Sequence, residues 1–136
     1  MPPRFHLAIP VHELAAARAF YGDVLRCPEG RHSERWCDFD LYGHQLVVHV
    51  AEGAGDAGAN PVDGEEVPVP HFGVILSIAE FRDLAAHLEG KVRFVIPPTV
   101  RFEGEVGEQH TMFFRDPSGN ALEFKAFADD AQVFAT

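Results

Sequence analysis

Apolar and polar positions along the chain change period twice, in the same way. Residues 5–11 form a short β-prone run, after which Leu14, Ala17, Tyr21 and Leu25 recur at helical spacing, predicting a strand followed by a helix. Residues 36–41 and 45–50 are further β-prone runs, separated by Tyr42-Gly43-His44, a hairpin turn by composition. The pattern then lapses. Residues 51–70 are rich in Gly, Ala, Pro and acidic side chains and show no periodicity, which predicts a linker or mobile loop. Beyond it the order returns: residues 71–76 predict a strand, and Phe81, Leu84, Ala85 and Leu88 predict a helix that Gly90 stops. Residues 92–96 predict a strand ended by Pro97-Pro98, and residues 111–114 predict another. Asp116-Pro117-Ser118-Gly119-Asn120 is a turn into a last strand over 121–127.

Placing one half over the other aligns His6 with His71, each opening a strand just before a helix. It also sets Gly43-His44-Gln45-Leu46-Val47 against Gly119-Asn120-Ala121-Leu122-Glu123. The predicted fold is α+β: two tandem βαβββ units, at about 4–52 and 69–128, joined by a linker at about 51–70 within one domain spanning 1–136. A duplication of this kind relates the halves by an approximate two-fold axis. Equivalent strand positions then converge on one cleft, in a cup-shaped mixed sheet around a metal site.

That convergence gives His6, His71 and Glu123 their interest. Glu123 shares a strand face with Ala121 and Lys125, opposite Leu122 and Phe124, and a carboxylate flanked by such neighbours needs a cation or hydrogen-bond donors. A strand histidine taken alone is ordinarily a packed or surface residue. Here the two histidines are repeat-equivalent, and Glu123 is the only acid on the final core strand. Two imidazoles and a carboxylate with open positions suit non-heme Fe(II), and the same set serves catalytic zinc. Phe20, Tyr21 and Trp36 fit helix spacing and strand alternation, and are assigned to packing.

Composition narrows the partners. A chain of 136 residues suffices for one core, and 46% hydrophobic with 24% charged residues is ordinary globular usage. No apolar run approaches the roughly 20 residues that span a bilayer, and residues 1–6 lack the apolar core of a signal peptide. A cytoplasmic protein with no membrane association is expected. A net charge of −10 opposes nucleic acid and anionic lipid as partners. Cys27 and Cys37 have no metal-type spacing and are expected to be buried or half-buried free thiols.

Residues 6–11, the Ala19-Phe20-Tyr21-Gly22-Asp23-Val24-Leu25 helix end, His71-Phe72-Gly73-Val74 and above all residues 116–124 resemble the glyoxalase, bleomycin-resistance and extradiol dioxygenase group, the vicinal oxygen chelate superfamily. The resemblance covers nearly the whole chain and speaks to scaffold and metal site, not to substrate. It implies metal ligation by His6, His71 and Glu123, and a homodimer in which His6 joins the other two either within one chain or across the pair. Glyoxalase I has a fourth protein ligand where the repeat alignment puts Val47, with Gln45 and His49 on the same strand face as substitutes. Three ligands are the pattern of extradiol dioxygenases and fosfomycin-modifying thiol transferases. The second-shell tyrosine of the dioxygenases has Phe113 in its region, which leaves His110 as the candidate general acid or base. Arg101 and Lys125 are candidates for holding an anionic group. The expected function is an extradiol-like dioxygenase acting on a small catechol-like substrate, with Fe(II) favoured and Mn, Ni or Zn as alternatives. Glyoxalase-type lyase or isomerase chemistry, thiol transfer and non-catalytic drug sequestration are the rivals.

Overall fold

The computed structural model describes residues 2–52, 58–62 and 65–136, the strand at 58–62 and residue 65 by backbone alone. Its contacts divide the chain into two compact units. One is Met1–Asp56 with Asp116–Asn120, and the other is Ala57–Arg115 with Ala121–Thr136.

In the first unit, β1 (His6–Val11) leads into α1 (Leu14–Arg18) and a π-helical continuation, Ala19–Val24. β2 (Glu29–His32), β3 (Trp36–Leu41) and β4 (His44–Val50) follow, and the sheet order is β1-β4-β3-β2. β1 runs parallel to β4 with His6 opposite Gln45, while β3 and β4 are antiparallel. One face is the core: Ile9, Val11, Cys37, Phe39, Leu41, Leu46 and Val48 are buried, as are Ala17, Phe20 and Tyr21 of the helical segment. The other face carries His6, Asp38, Gln45 and His49. Tyr42 and Gly43 turn β3 into β4 with positive φ values of 51° and 88°, the conformation that a two-residue hairpin requires. Trp36 departs from the packing assignment. It is half-buried and pairs with His49 on the polar face, because it opens β3 on the side opposite Cys37.

The second unit repeats the plan. β5 (Gly58–Val62) and β6 (Glu65–Val69) form an antiparallel ribbon, followed by β7 (His71–Phe72), α2 (Ile78–Leu88), β8 (Phe94–Arg101), β9 (Gln109–Arg115) and β10 (Ala121–Phe127). The four-stranded order is β7-β10-β9-β8, with β7 parallel to β10 and His71 opposite Ala121. Ser77 and Glu80 cap α2 reciprocally, and Phe81, Leu84 and Leu88 are its buried stripe. Leu122, Phe124, Ala126, Met112 and Phe114 form the sheet face of that core.

Two expectations are corrected. The linker at about 51–70 contains the β5–β6 ribbon, whose residues carry too little alternation to announce it; positions 53–57 and 63–64 lie outside the described residues. The strand expected at 92–96 runs on to Arg101 through both prolines. β8 is an edge strand, where a missing N–H goes unnoticed, and its register shifts between Phe94 and Thr99 fall where the prolines sit. β2 is the third strand that the βαβββ plan of the first unit requires, and no range could be read for it because all four of its residues are exposed and no period marks it.

Residues 116–120, although they connect β9 to β10, group with the first unit. Buried Asp116 accepts from the Tyr21 hydroxyl at 2.8 Å, from the Ser118 and Asn120 backbone N–H groups at 2.9 Å each, and from Asn120 Nδ2 at 2.9 Å. Ser118 Oγ accepts from the His12 N–H at 2.8 Å, and Asn120 Nδ2 also donates to the Pro10 carbonyl at 2.8 Å. Asp116→Ala removes an acceptor shared by four donors and is expected to destabilise by about 3 kcal/mol in a denaturant titration. Both cysteines are free and buried, as expected, and burial is the main cause that pushes each thiol up to about 12. At pH 8 the thiolate fraction is then about one in ten thousand. Folded protein should resist iodoacetamide, and denatured protein should take up two equivalents by mass spectrometry.

Candidate metal centre

Glu123 sits on the inner strand β10, where the pleat turns it away from the α2 core. Its face is set by the antiparallel register: Glu123 lies opposite Phe113 and Lys125 opposite Thr111, while Arg101 of β8 lies opposite Gln109. Phe113, Thr111 and Gln109 alternate along β9, so they share one side with Glu123, Lys125 and Arg101. Burial pushes the Glu123 carboxyl up, but donation from His71 and Thr111 outweighs it and holds the group below the ordinary carboxylate range. Thr111 Oγ1 donates to Oε2. His71 Nε2 lies 3.2 Å from Oε1.

His71 arrives there through two backbone features. Its Nδ1 is 2.6 Å from the Pro68 carbonyl, which accepts only, so Nδ1 carries a proton and Nε2 is the nitrogen that faces the carboxylate. Phe113 meets the imidazole edge to face at 5.0 Å. Gly73 then permits β7 to lie close against β10. A Cβ at that position would stand 1.5 Å from the Glu123 carbonyl oxygen, which no side chain can satisfy.

An imidazole nitrogen and a carboxylate oxygen at this separation are both electron-rich unless something positive stands between them. Hydrogen bonding to Glu123 raises the His71 pKa above its ordinary value, against the lowering by burial and with further help from Pro68. The space between the imidazole nitrogen and the carboxylate oxygen is one that a cation fits. The oriented histidine, with Nδ1 held by a carbonyl and Nε2 beside a carboxylate, is the donor chemistry of a catalytic divalent-metal ligand pair.

His6 shows the same preparation in the first unit. Its Nδ1 is 2.8 Å from Gln45 Oε1, an orientation of the amide supported by Gln45 Nε2 at 3.4 Å from Asp38 Oδ2, so Nε2 is left as the lone-pair nitrogen. His6, Asp38, Gln45 and Arg31 line an open groove of about 670 Å³ on that unit. Among the described residues, no three His, Cys, Asp or Glu side chains come together as a metal cluster.

The registers show which residue stands at the fourth-ligand position, the question raised by Val47. His6 pairs with Gln45 and His71 pairs with Ala121, so two residues further along β4 stands Val47 where β10 has Glu123. Gln45 corresponds to Ala121. His110 is corrected: it alternates with Thr111 onto the opposite face, its ring 5.8 Å from Phe81 of α2, and it does not stand with Glu123. Arg101 does share the Glu123 face, over the Phe113 ring. Thr111 and the Pro68 carbonyl were missed. The hairpin register set by the 116–120 turn could have found Thr111, whereas a backbone carbonyl leaves no mark in a sequence.

The family model described as "Glyoxalase/Bleomycin resistance protein/Dioxygenase superfamily" matches residues 5–124, and the chain belongs to that superfamily. Among solved structures it is similar to a glyoxalase/bleomycin resistance protein/dioxygenase from Alicyclobacillus acidocaldarius, at 32% identity and a TM-score of 0.81, with 97% of this chain and 96% of that one covered. The fold also matches a genomically encoded fosfomycin resistance protein from Listeria monocytogenes (16% identity, TM-score 0.69, 93% of each chain covered). A lactoylglutathione lyase from Agrobacterium tumefaciens shares it too (22% identity, TM-score 0.64, 93% and 96% covered). No curated protein matches the chain. Among the described residues no helix is long and apolar enough to cross a membrane.

Gly73→Ala is expected to force β7 away from β10, lowering stability by about 3 kcal/mol and separating His71 from Glu123. Thermal melts, and NMR of the His71 ring with and without divalent metal, check both effects.

Proposed function

We propose that the protein is a divalent-metal-dependent enzyme that binds two neighbouring oxygen atoms of a small organic substrate, with His71, Glu123 and His6 as the protein ligands. The observation that carries this reading is the 3.2 Å approach of His71 Nε2 to Glu123 Oε1, with Nδ1 committed to the Pro68 carbonyl. A bound cation would act as a Lewis acid on the chelated oxygens. The chain's own contribution is orientation. Thr111 occupies one carboxylate oxygen and leaves the other for ligation, and Phe113 excludes water from one edge of the His71 ring. His6 belongs either to the same chain or to a second copy, and a homodimer accommodates both arrangements.

Within this class the extradiol-type dioxygenase reading, with Fe(II), draws its support from Val47, which would leave three protein ligands and so open positions for a chelating substrate. A second reading is favoured by the placement of His110. With that imidazole on the α2 face and Phe113 opposite Glu123, neither residue supplies a proton relay for ring cleavage. Metal-assisted addition of a thiol to an epoxide, or glyoxalase-type isomerisation, makes less demand on a separate acid. The glyoxalase-type reaction accords with the name of the Agrobacterium neighbour.

One divalent ion per chain is expected in protein purified without chelator or affinity nickel. His71→Ala and Glu123→Gln should each weaken its binding on the order of a hundredfold or more in competition titrations. Near-native affinity in Glu123→Gln would refute the ligand set. Iron, with oxygen uptake on adding catechols, supports the dioxygenase. Turnover of a thiol with an epoxide, or of a hemithioacetal, selects the second reading, and a metal-free protein that binds drugs selects sequestration.

A further inference from the structure

On the face of the second unit's sheet that bears Glu123, one charged side chain has two buried nitrogens without a hydrogen-bond partner among the described residues. Arg101, the last residue of β8, is only 5% exposed. Its Nε and Nη2 are buried and make no hydrogen bond among the described residues. The guanidinium lies instead over the Phe113 ring, with Cζ 5.6 Å from the centroid, and that same ring is the one packed against His71. A cation–π contact compensates only part of what a buried guanidinium loses on leaving water. Buried N–H groups are paired in nearly all folded proteins, and an exception at a site of this kind points to a missing partner.

The identity of the unpaired atoms defines that partner. Nε and Nη2 form the edge of the guanidinium whose N–H bonds run parallel, matched to the two oxygens of a planar oxyanion. We propose that Arg101 is a specificity-determining residue that takes a carboxylate of the substrate through this edge, one aromatic ring away from His71. Lys125, on the same face with Nζ 5.6 Å from the Phe127 centroid, adds positive potential. The substrate class is thereby narrowed to small organic acids that also carry two neighbouring oxygens. The second half of that description rests on the metal reading above. The carboxylate does not, since it is argued from Arg101 Nε and Nη2, which have no hydrogen-bond partner among the described residues and are not among the proposed metal ligands.

The test uses the full chain stripped of metal, so that failure of the metal reading cannot be mistaken for failure of this one. Thermal midpoints are measured in acetate, benzoate and methylphosphonate against chloride at equal ionic strength. The carboxylates should raise the wild-type midpoint with saturation. Arg101→Lys should respond on the order of tenfold more weakly, because it keeps the charge and loses the fork. Arg101→Met should not respond, while its own midpoint stays level or rises as an apolar chain replaces an unpaired charge. Metal titration of Arg101→Met should retain wild-type stoichiometry. No wild-type response beyond chloride, or an equal response in Arg101→Met, overturns the proposal. So does an unliganded Arg101→Met midpoint far below wild type, which would mean that the fold itself satisfies the guanidinium. A stronger response to methylphosphonate than to either carboxylate overturns the carboxylate assignment in favour of a tetrahedral oxyanion.

Discussion

A carboxylate on the inner strand of a sheet is the constraint around which the second unit is arranged. Glu123 has Leu122 and Phe124 on either side, both fully buried, and its own side chain is 12% exposed. An uncompensated charge in that position would cost several kcal/mol. The compensation comes from three places at once: the Thr111 hydroxyl from β9, the His71 imidazole from β7, and through His71 the Pro68 carbonyl from the β5–β6 ribbon. Gly73 belongs to the same requirement, since only a residue without Cβ lets β7 approach β10 closely enough for His71 to serve. A pair of ligand-type donors is thus a by-product of satisfying one buried acid.

What could be read in the sequence follows from how strongly each feature is written in side-chain periodicity. Both βα openings, the 116–120 turn and the strands β4 and β10 were legible because one face is more deeply buried than the other, and β9, buried on both faces, was legible as a short β-prone apolar run. β2 and the β5–β6 ribbon were not, because an exposed edge strand and a ribbon of Gly, Pro and Glu need no alternation. His71 and Glu123 were legible as a pair from the duplication. His110 was misplaced because a candidate general acid was chosen by its distance along the chain, and a single step along a strand reverses the face. The prolines of β8 misled for a related reason: they end an interior strand and are tolerated at an edge.

The duplication itself shows in the pairing registers more clearly than in residue identity. β1 with β4 and β7 with β10 are both parallel, and the histidine that opens each short strand faces the residue two before the position in question, Val47 in one unit and Glu123 in the other. One scaffold therefore carries two versions of the same site position, one apolar and one acidic. Each histidine has its Nδ1 held by an oxygen, in one case an amide side chain and in the other a main-chain carbonyl. The orienting partner has changed while the tautomer it imposes has not. This is the outcome expected when the chemistry constrains the free nitrogen and leaves the means of fixing it open.

The prolines of β8 have a bearing on behaviour in solution. A strand at the margin of a sheet offers unpaired backbone groups to any other chain that arrives in extended form, and such margins are where native proteins begin to stack into insoluble material. Pro97 and Pro98 have no N–H to offer an arriving strand, and the adjoining register shifts bend the strand away from the flat geometry that stacking needs. The feature that hid the strand from its sequence is thus one that shields it from promiscuous pairing during expression and storage.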